Sequence, residues 1–145
     1  MRYRFIDAVL ALELGDRPRV GVEKTFAAGD DALSGLAGPD RVPNSLVLEL
    51  QAMTGGHLLW HRFDRRRLPL LVKVQQCRFA GLARPGERLT AHAELVGVKD
   101  DLRGVVLAEA TTEVSTDGRA VAAGRLLYVC VEVPGVDLAT YEGRL

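Results

Sequence analysis

The chain has no surplus of either charge. Its 19 Lys and Arg residues are matched by 19 Asp and Glu among 145 residues. That balance excludes the basic excess or stripe by which a nucleic-acid binder is known. The one cationic run, "DRRR" at 64–67, reads as a solvated helix end, where cations suit the macrodipole. Cysteine is scarce. Cys77 and Cys130 lie in apolar, strand-like stretches without partner spacing, so they read as reduced core thiols of a cytoplasmic protein, and no metal motif accompanies them. Long apolar runs are absent too, and none approaches the ~20 residues that span a bilayer. The N-terminal "MRYRFIDAVLALELG" is interrupted by Asp7 and Glu13 and does not read as a signal peptide. There are only three histidines, His57, His61 and His92, which restricts any imidazole chemistry. With 48% hydrophobic and 26% charged residues, what remains is one ordinary globular domain with enough chain for a real core.

Two short strands are expected at 8–14 and 18–26, separated by the turn signal "GDRP". Residues 27–42 are rich in Gly, Ala and Asp and read as a loop. A helix follows from Asn44 to about Phe63, roughly 28 Å long at 1.5 Å per residue, with Asn44 as its N-cap. Beyond it the apolar period becomes two. Strands are expected at 69–79, 88–98, 104–116 and 119–133, joined by "ARPGER", "KDDLRG" and the Asp-Gly hairpin signal "TDGR". Leu89, Ala91, Ala93 and Leu95 share one face of the second of these, and Arg88, Thr90, His92 and Glu94 the other. One domain over 1–133 is expected, with 134–145 as a loosely held tail.

The order of two strands, one helix and four long antiparallel strands makes an α+β domain. The helix is apolar nearly all round, unlike a surface helix with a single stripe. A curved sheet of about six strands wrapped around it covers most of that surface, and a second copy of the chain covers the rest. That is the hotdog arrangement, and it implies a dimer.

Inside the helix, "PNSLVLELQAMTGGHLLW" (43–60) carries an acid, Glu49, in an otherwise apolar run. Ser45, Ala52, Met53 and Gly56 lie within about 60° of it around the helix and are mostly small. Space beside the carboxylate follows, so Glu49 is expected to line a pocket, although a buried acid is also satisfied by an ion pair or by the sheet. Gly55 and Gly56 each cost about 1 kcal/mol relative to Ala, which points to something packed closely against them.

Over residues 3–133 the chain resembles the 3-hydroxyacyl-[acyl-carrier-protein] dehydratases of the FabZ/FabA type. The resemblance rests on "YRFIDAVLALELGDRPRVGVEKTF", on "VPNSLVLELQAMTGG" (42–56) beside that family's "MPGVLxxEAxAQxxG", and on "VQQCRFAGLARPGERL" (74–89) beside "xxARFRRPVxPGDxL". It implies a hotdog dimer acting on acyl thioesters carried by the phosphopantetheine of acyl carrier protein or by CoA, with no other cofactor, in fatty acid or polyketide-type metabolism. It also implies that Glu49 is the helix acid that helps a hydroxyl leave as water, with a raised pKa if buried. The base in such enzymes is a histidine of a "GHFPG" loop. Here "SGLAG" (34–38) stands in its place, Gly35 falls on the histidine and only Gly38 agrees. Asn44 replaces the glycine at the helix start, a milder change because backbone donors survive it.

His57 is the candidate substitute base, eight residues after Glu49. Pro43, Asn44, Ser45, Met53, Arg78 and Phe79, with Gly35 and Gly38, are the implied substrate-binding positions. Arg62, Arg65, Arg66 and Arg67 are candidates for docking an acidic carrier protein. Three readings stay open: a dehydratase-family acyl-thioester binder, a thioesterase in which Glu49 alone activates water or attacks the carbonyl, and a non-catalytic subunit that binds acyl chains or carrier protein or completes its site with a hotdog partner.

Overall fold

The computed structural model describes residues 4–35, 40–100 and 103–138, so Gly38 and most of the tail lie outside the described residues. The expected strand–strand–helix–four-strand order holds. The elements are β1 (Ala8–Glu13), β2 (Arg19–Thr25), α1 (Asn44–Arg62), β3 (Leu68–Phe79), β4 (Arg88–Asp100), β5 (Val106–Thr116) and β6 (Arg119–Val131). A short 3-10 turn, Asp31–Leu33, interrupts the segment expected to be loop and is capped by the Asp30 carboxylate accepting from the Ala32 N–H. The strands form one sheet in the order β1-β2-β4-β5-β6-β3, each neighbouring pair antiparallel. Chain order and sheet order part at β3: the chain leaves β2, runs through α1 and re-enters at the far edge. The helix therefore lies across one face of the sheet and packs on β2 through β6. That is the hotdog fold.

The period-two segments are amphipathic as read. Leu89, Ala91 and Ala93 are buried, while Arg88, His92 and Glu94 are exposed. In β5 the alternate residues Val106, Ala108, Ala110, Thr112 and Val114 are all buried. At the β5–β6 hairpin, Asp117 and Gly118 take φ of 47° and 72°, the two left-handed residues that a two-residue turn of matching twist requires. No helix among the described residues is long and apolar enough to cross a membrane.

Two expectations at the helix ends need correction. Asn44 is not the N-cap. Pro43 occupies that position with extended φ and ψ (−56°, 142°), no side chain caps the end, and the Pro43 carbonyl accepts from Leu46 N at 3.0 Å. The proline ring fixes φ and has no N–H to satisfy, so Asn44 is already helical. Nor is "DRRR" wholly solvated. Arg67 donates to the Gly104 carbonyl at 2.9 Å and pairs with Glu132 at 3.4 Å.

The close packing that Gly55 implies is provided by Tyr128 of β6. A Cβ at residue 55 would collide with the Tyr128 hydroxyl, which instead donates to the Ala52 carbonyl at 2.8 Å. One turn earlier, Gln51 is fully buried; its amide donates to Thr112 Oγ1 at 3.0 Å and its carbonyl oxygen accepts from Cys77 Sγ at 3.4 Å. Helix and sheet are thus tied by three hydrogen bonds set into an apolar interface, which fix the height of α1 over β3, β5 and β6. Gly55→Ala is expected to destabilise the fold by about 1–3 kcal/mol through overpacking, against the usual gain from Ala in a helix. A urea midpoint equal to or above that of the wild type would show that Tyr128 does not press on Gly55.

Candidate functional site

The sheet curls past α1 on the β2 and β4 side but leaves one flank of the helix open on the β3 side. β3 is an edge strand, and Leu70, Leu71, Val72 and Val74 are 37–53% exposed along it. Register shifts between Leu71 and Lys73 and between Val74 and Gln76 bend the strand. Between this edge and the open flank lies a cavity of about 230 Å3. Its helix wall is the stripe Glu49, Ala52, Met53, Gly56, His57 and Trp60, and its opposite wall is Leu68–Leu71, with Tyr128 and Ile6 completing it. The spacing of three and four residues puts these side chains on one helix face over about 16 Å. The lining is apolar except for a carboxylate at one end, an imidazole towards the other and a phenol between them.

Glu49 is exposed rather than buried, because the flank it stands on has no cover in a single chain. Met53 follows it one turn later, half-buried. Gly56 keeps the cavity open: a Cβ there would meet nothing nearer than Pro69 Cγ at 3.8 Å. Burial first, then the Glu49 carboxylate, push the Tyr128 phenol far above its ordinary range, so the phenol keeps its proton and donates it in the hydrogen bond to the Ala52 carbonyl. Burial, then the neighbouring His61 and Arg65, hold His57 down at about 4, and the imidazole is therefore neutral at pH 7. The His57 and His61 rings meet edge to face with centroids 4.6 Å apart.

Of the residues expected from the sequence, Glu49, His57 and Met53 come together on the cavity. Pro43, Asn44 and Ser45 stand at the helix start, outside its lining. Gly35 is exposed with φ of +84° in the loop after the 3-10 turn. Arg78 lies in a separate groove with Gln76, Thr111 and Arg125, and Phe79 is 37% exposed at the end of β3. His92 is on the outer face of the sheet, against Gly21. Trp60, Tyr128 and Leu68–Leu71 were not singled out from the sequence. Trp60 extends the Glu49 stripe by helical spacing and was legible in principle. The β3 and β6 residues depend on strand order, which sequence patterning does not supply.

The His57 environment sets a pH dependence. Its folded pKa lies below the ordinary 6.5, so between 6.5 and about 4 the unfolded chain takes up a proton that the folded chain refuses. Stability is full above that window and falls as pH falls through it. The urea midpoint is expected to drop between pH 7 and pH 5 in the wild type and to drop less in His57→Gln. Equal drops would mean that His57 is not held neutral by its surroundings.

No protein-family model matches the chain. Among curated proteins it is similar to the 3-hydroxyacyl-[acyl-carrier-protein] dehydratase FabZ of Bacillus cereus (strain AH820), 29% identical over 122 residues, covering 80% of this chain and 83% of the relative. Among solved structures it is similar to the dehydratase heterocomplex ApeI:P from Xenorhabdus doucetiae, with TM-score 0.66 and 22% identity over 86% of this chain and 81% of that one. It is also similar to a hypothetical thioesterase protein with coenzyme A from Streptococcus pneumoniae TIGR4, with TM-score 0.67 and 10% identity over 86% of this chain and 85% of that one. At such identities the solved structures speak to the fold alone. The six-stranded antiparallel sheet with its single helix is the hotdog fold, and within that fold the sequence is similar to the FabZ dehydratases.

Proposed function

We propose that this chain binds acyl thioesters as a dehydratase-type hotdog subunit, with the acyl group along the α1–β3 cavity and the thioester end at Glu49. One observation carries the reading: a carboxylate stands at the end of a mostly apolar cavity that runs along the helix from Glu49 to Trp60. Apolar walls take an acyl chain out of water at about 0.8 kcal/mol per methylene, and the carboxyl at the end supplies the proton that a leaving hydroxyl needs.

The chain by itself lacks the second group. Removing the proton next to a thioester carbonyl calls for a base beside Glu49, and Gly35 provides none. His57 is eight residues along the helix, about 12 Å by rise, and an imidazole held at about 4 is a weak base. The missing imidazole then comes from another hotdog chain. A bare edge strand with four exposed apolar residues is a liability that natural sheets cover, and a second hotdog chain paired along β3 covers both that edge and the open flank. The likeness to a dehydratase heterocomplex supports a partner of unlike sequence in that place, with a homodimer as the assembly that binds without dehydrating. Arg62, Arg65 and Arg66 remain the cations for an acidic carrier protein, whereas Arg67 is engaged by Glu132 and two backbone carbonyls.

A thioesterase is the second reading, favoured by the exposure of Glu49, which leaves room for the water such an enzyme must activate. Both are tested with 3-hydroxyacyl and trans-2-enoyl pantetheine thioesters, following water loss, water addition and thiol release by mass spectrometry. The chain alone is expected to bind and not to exchange water. With a hotdog partner that carries the loop histidine, exchange appears, and Glu49→Gln lowers it by at least ~100-fold. Exchange indifferent to Glu49→Gln sinks the proposal, and Glu49-dependent thiol release from the chain alone replaces it with the thioesterase.

A further inference from the structure

We infer that His57 is a specificity residue that selects acyl chains bearing an oxygen function, a hydroxyl or carbonyl, on the part of the chain farthest from the thioester. The inference rests on the acyl-thioester reading above and adds the class of acyl group.

The cavity wall is Met53, Gly56, Trp60 and Leu68–Leu71, and a plain hydrocarbon chain would be served by that wall alone. His57 interrupts it with a polar ring more than two helical turns beyond Glu49. Among the described residues, nothing hydrogen-bonds to that ring; its one close partner is the edge of His61. Among the described residues no buried side-chain nitrogen or oxygen is left without a partner, so the ring nitrogens keep accessible surface rather than being sealed in the core, and His57 lines the cavity. The indole N–H of Trp60, one turn on, likewise meets no acceptor among the described residues.

The charges define what these groups accept. Arg65 lies close enough to hold down both imidazoles, which disfavours a cationic ligand. A neutral imidazole presents one N–H donor and one acceptor nitrogen, and the indole presents a donor only. Either ring nitrogen fits an oxygen function: a hydroxyl donates to the bare nitrogen or accepts from the N–H, and a carbonyl accepts from the N–H. A site built to bond such an oxygen leaves its own groups unpaired when a methyl takes the place, and the mismatch is the source of discrimination.

The test compares ω-hydroxyoctanoyl and nonanoyl pantetheine, in which a hydroxyl stands where the other has a methyl. Binding to the purified full chain is measured by calorimetry. Wild type is expected to bind the hydroxylated thioester about tenfold more tightly. His57→Leu is expected to bind nonanoyl pantetheine at least as well as wild type and to lose the preference, and His57→Gln, which keeps a donor and an acceptor, is expected to retain part of it. Equal binding of the two by wild type, or a preference that survives in His57→Leu, overturns the role of His57 while leaving the acyl site standing. If wild type binds neither thioester, the acyl-thioester reading itself fails.

Discussion

One helix has to cover one face of a six-stranded sheet, and it cannot do so on all sides. A helix is about 10 Å across, and strands lie nearly 5 Å apart, so α1 spans two or three strands. Curvature closes the β2 and β4 side, where Val47, Leu50 and Leu58 are sealed against Val20, Val22 and Leu89. On the other side a cavity remains between one flank of the helix and Leu68–Leu71 of β3. The cavity, the exposure of Glu49 and the bare apolar edge of β3 all follow from that shortfall.

The gap is shaped rather than accidental. Gln51 and Tyr128 hold α1 at a fixed height by bonds to Thr112 and from the phenol to Ala52. Gly55 lets Tyr128 approach, and Gly56 keeps its own position empty above Pro69. Two adjacent glycines thus do opposite things: one is filled by a side chain from the sheet, and the other preserves space. Small residues on a helix face would ordinarily weaken the helix, and at Gly55 that loss is offset by the buried phenol.

Element order, strand faces and the hairpin at Asp117–Gly118 were legible because they depend on local period and turn chemistry. The hotdog wrap was legible because a helix greasy nearly all round demands cover. The Glu49–Met53 part of the site followed from helical spacing. What could not be read was everything that depends on which strands become neighbours. Tyr128 is 79 residues from Glu49 in sequence and reaches the same cavity only because β6 lies beside β3. The exposure of Glu49 could not be read for a related reason: an apolar run shows that cover is needed, not that the chain supplies it. Asn44 was assigned the helix cap on side-chain preference, and the fixed backbone of Pro43 took the position instead.

The account centres on the α1–β3 cavity as the seat of an acyl chain. The most direct measurement is photolabelling of the purified protein with a pantetheine thioester whose acyl chain carries a diazirine near its end, with the labelled residues located by peptide mass spectrometry. The account predicts label on α1 from Met53 to Trp60 or on Leu68–Leu71 of β3, suppressed by an excess of unmodified acyl thioester. Label confined to the outer face of the sheet, around His92 or Arg78, or label that the competitor does not suppress, would contradict it.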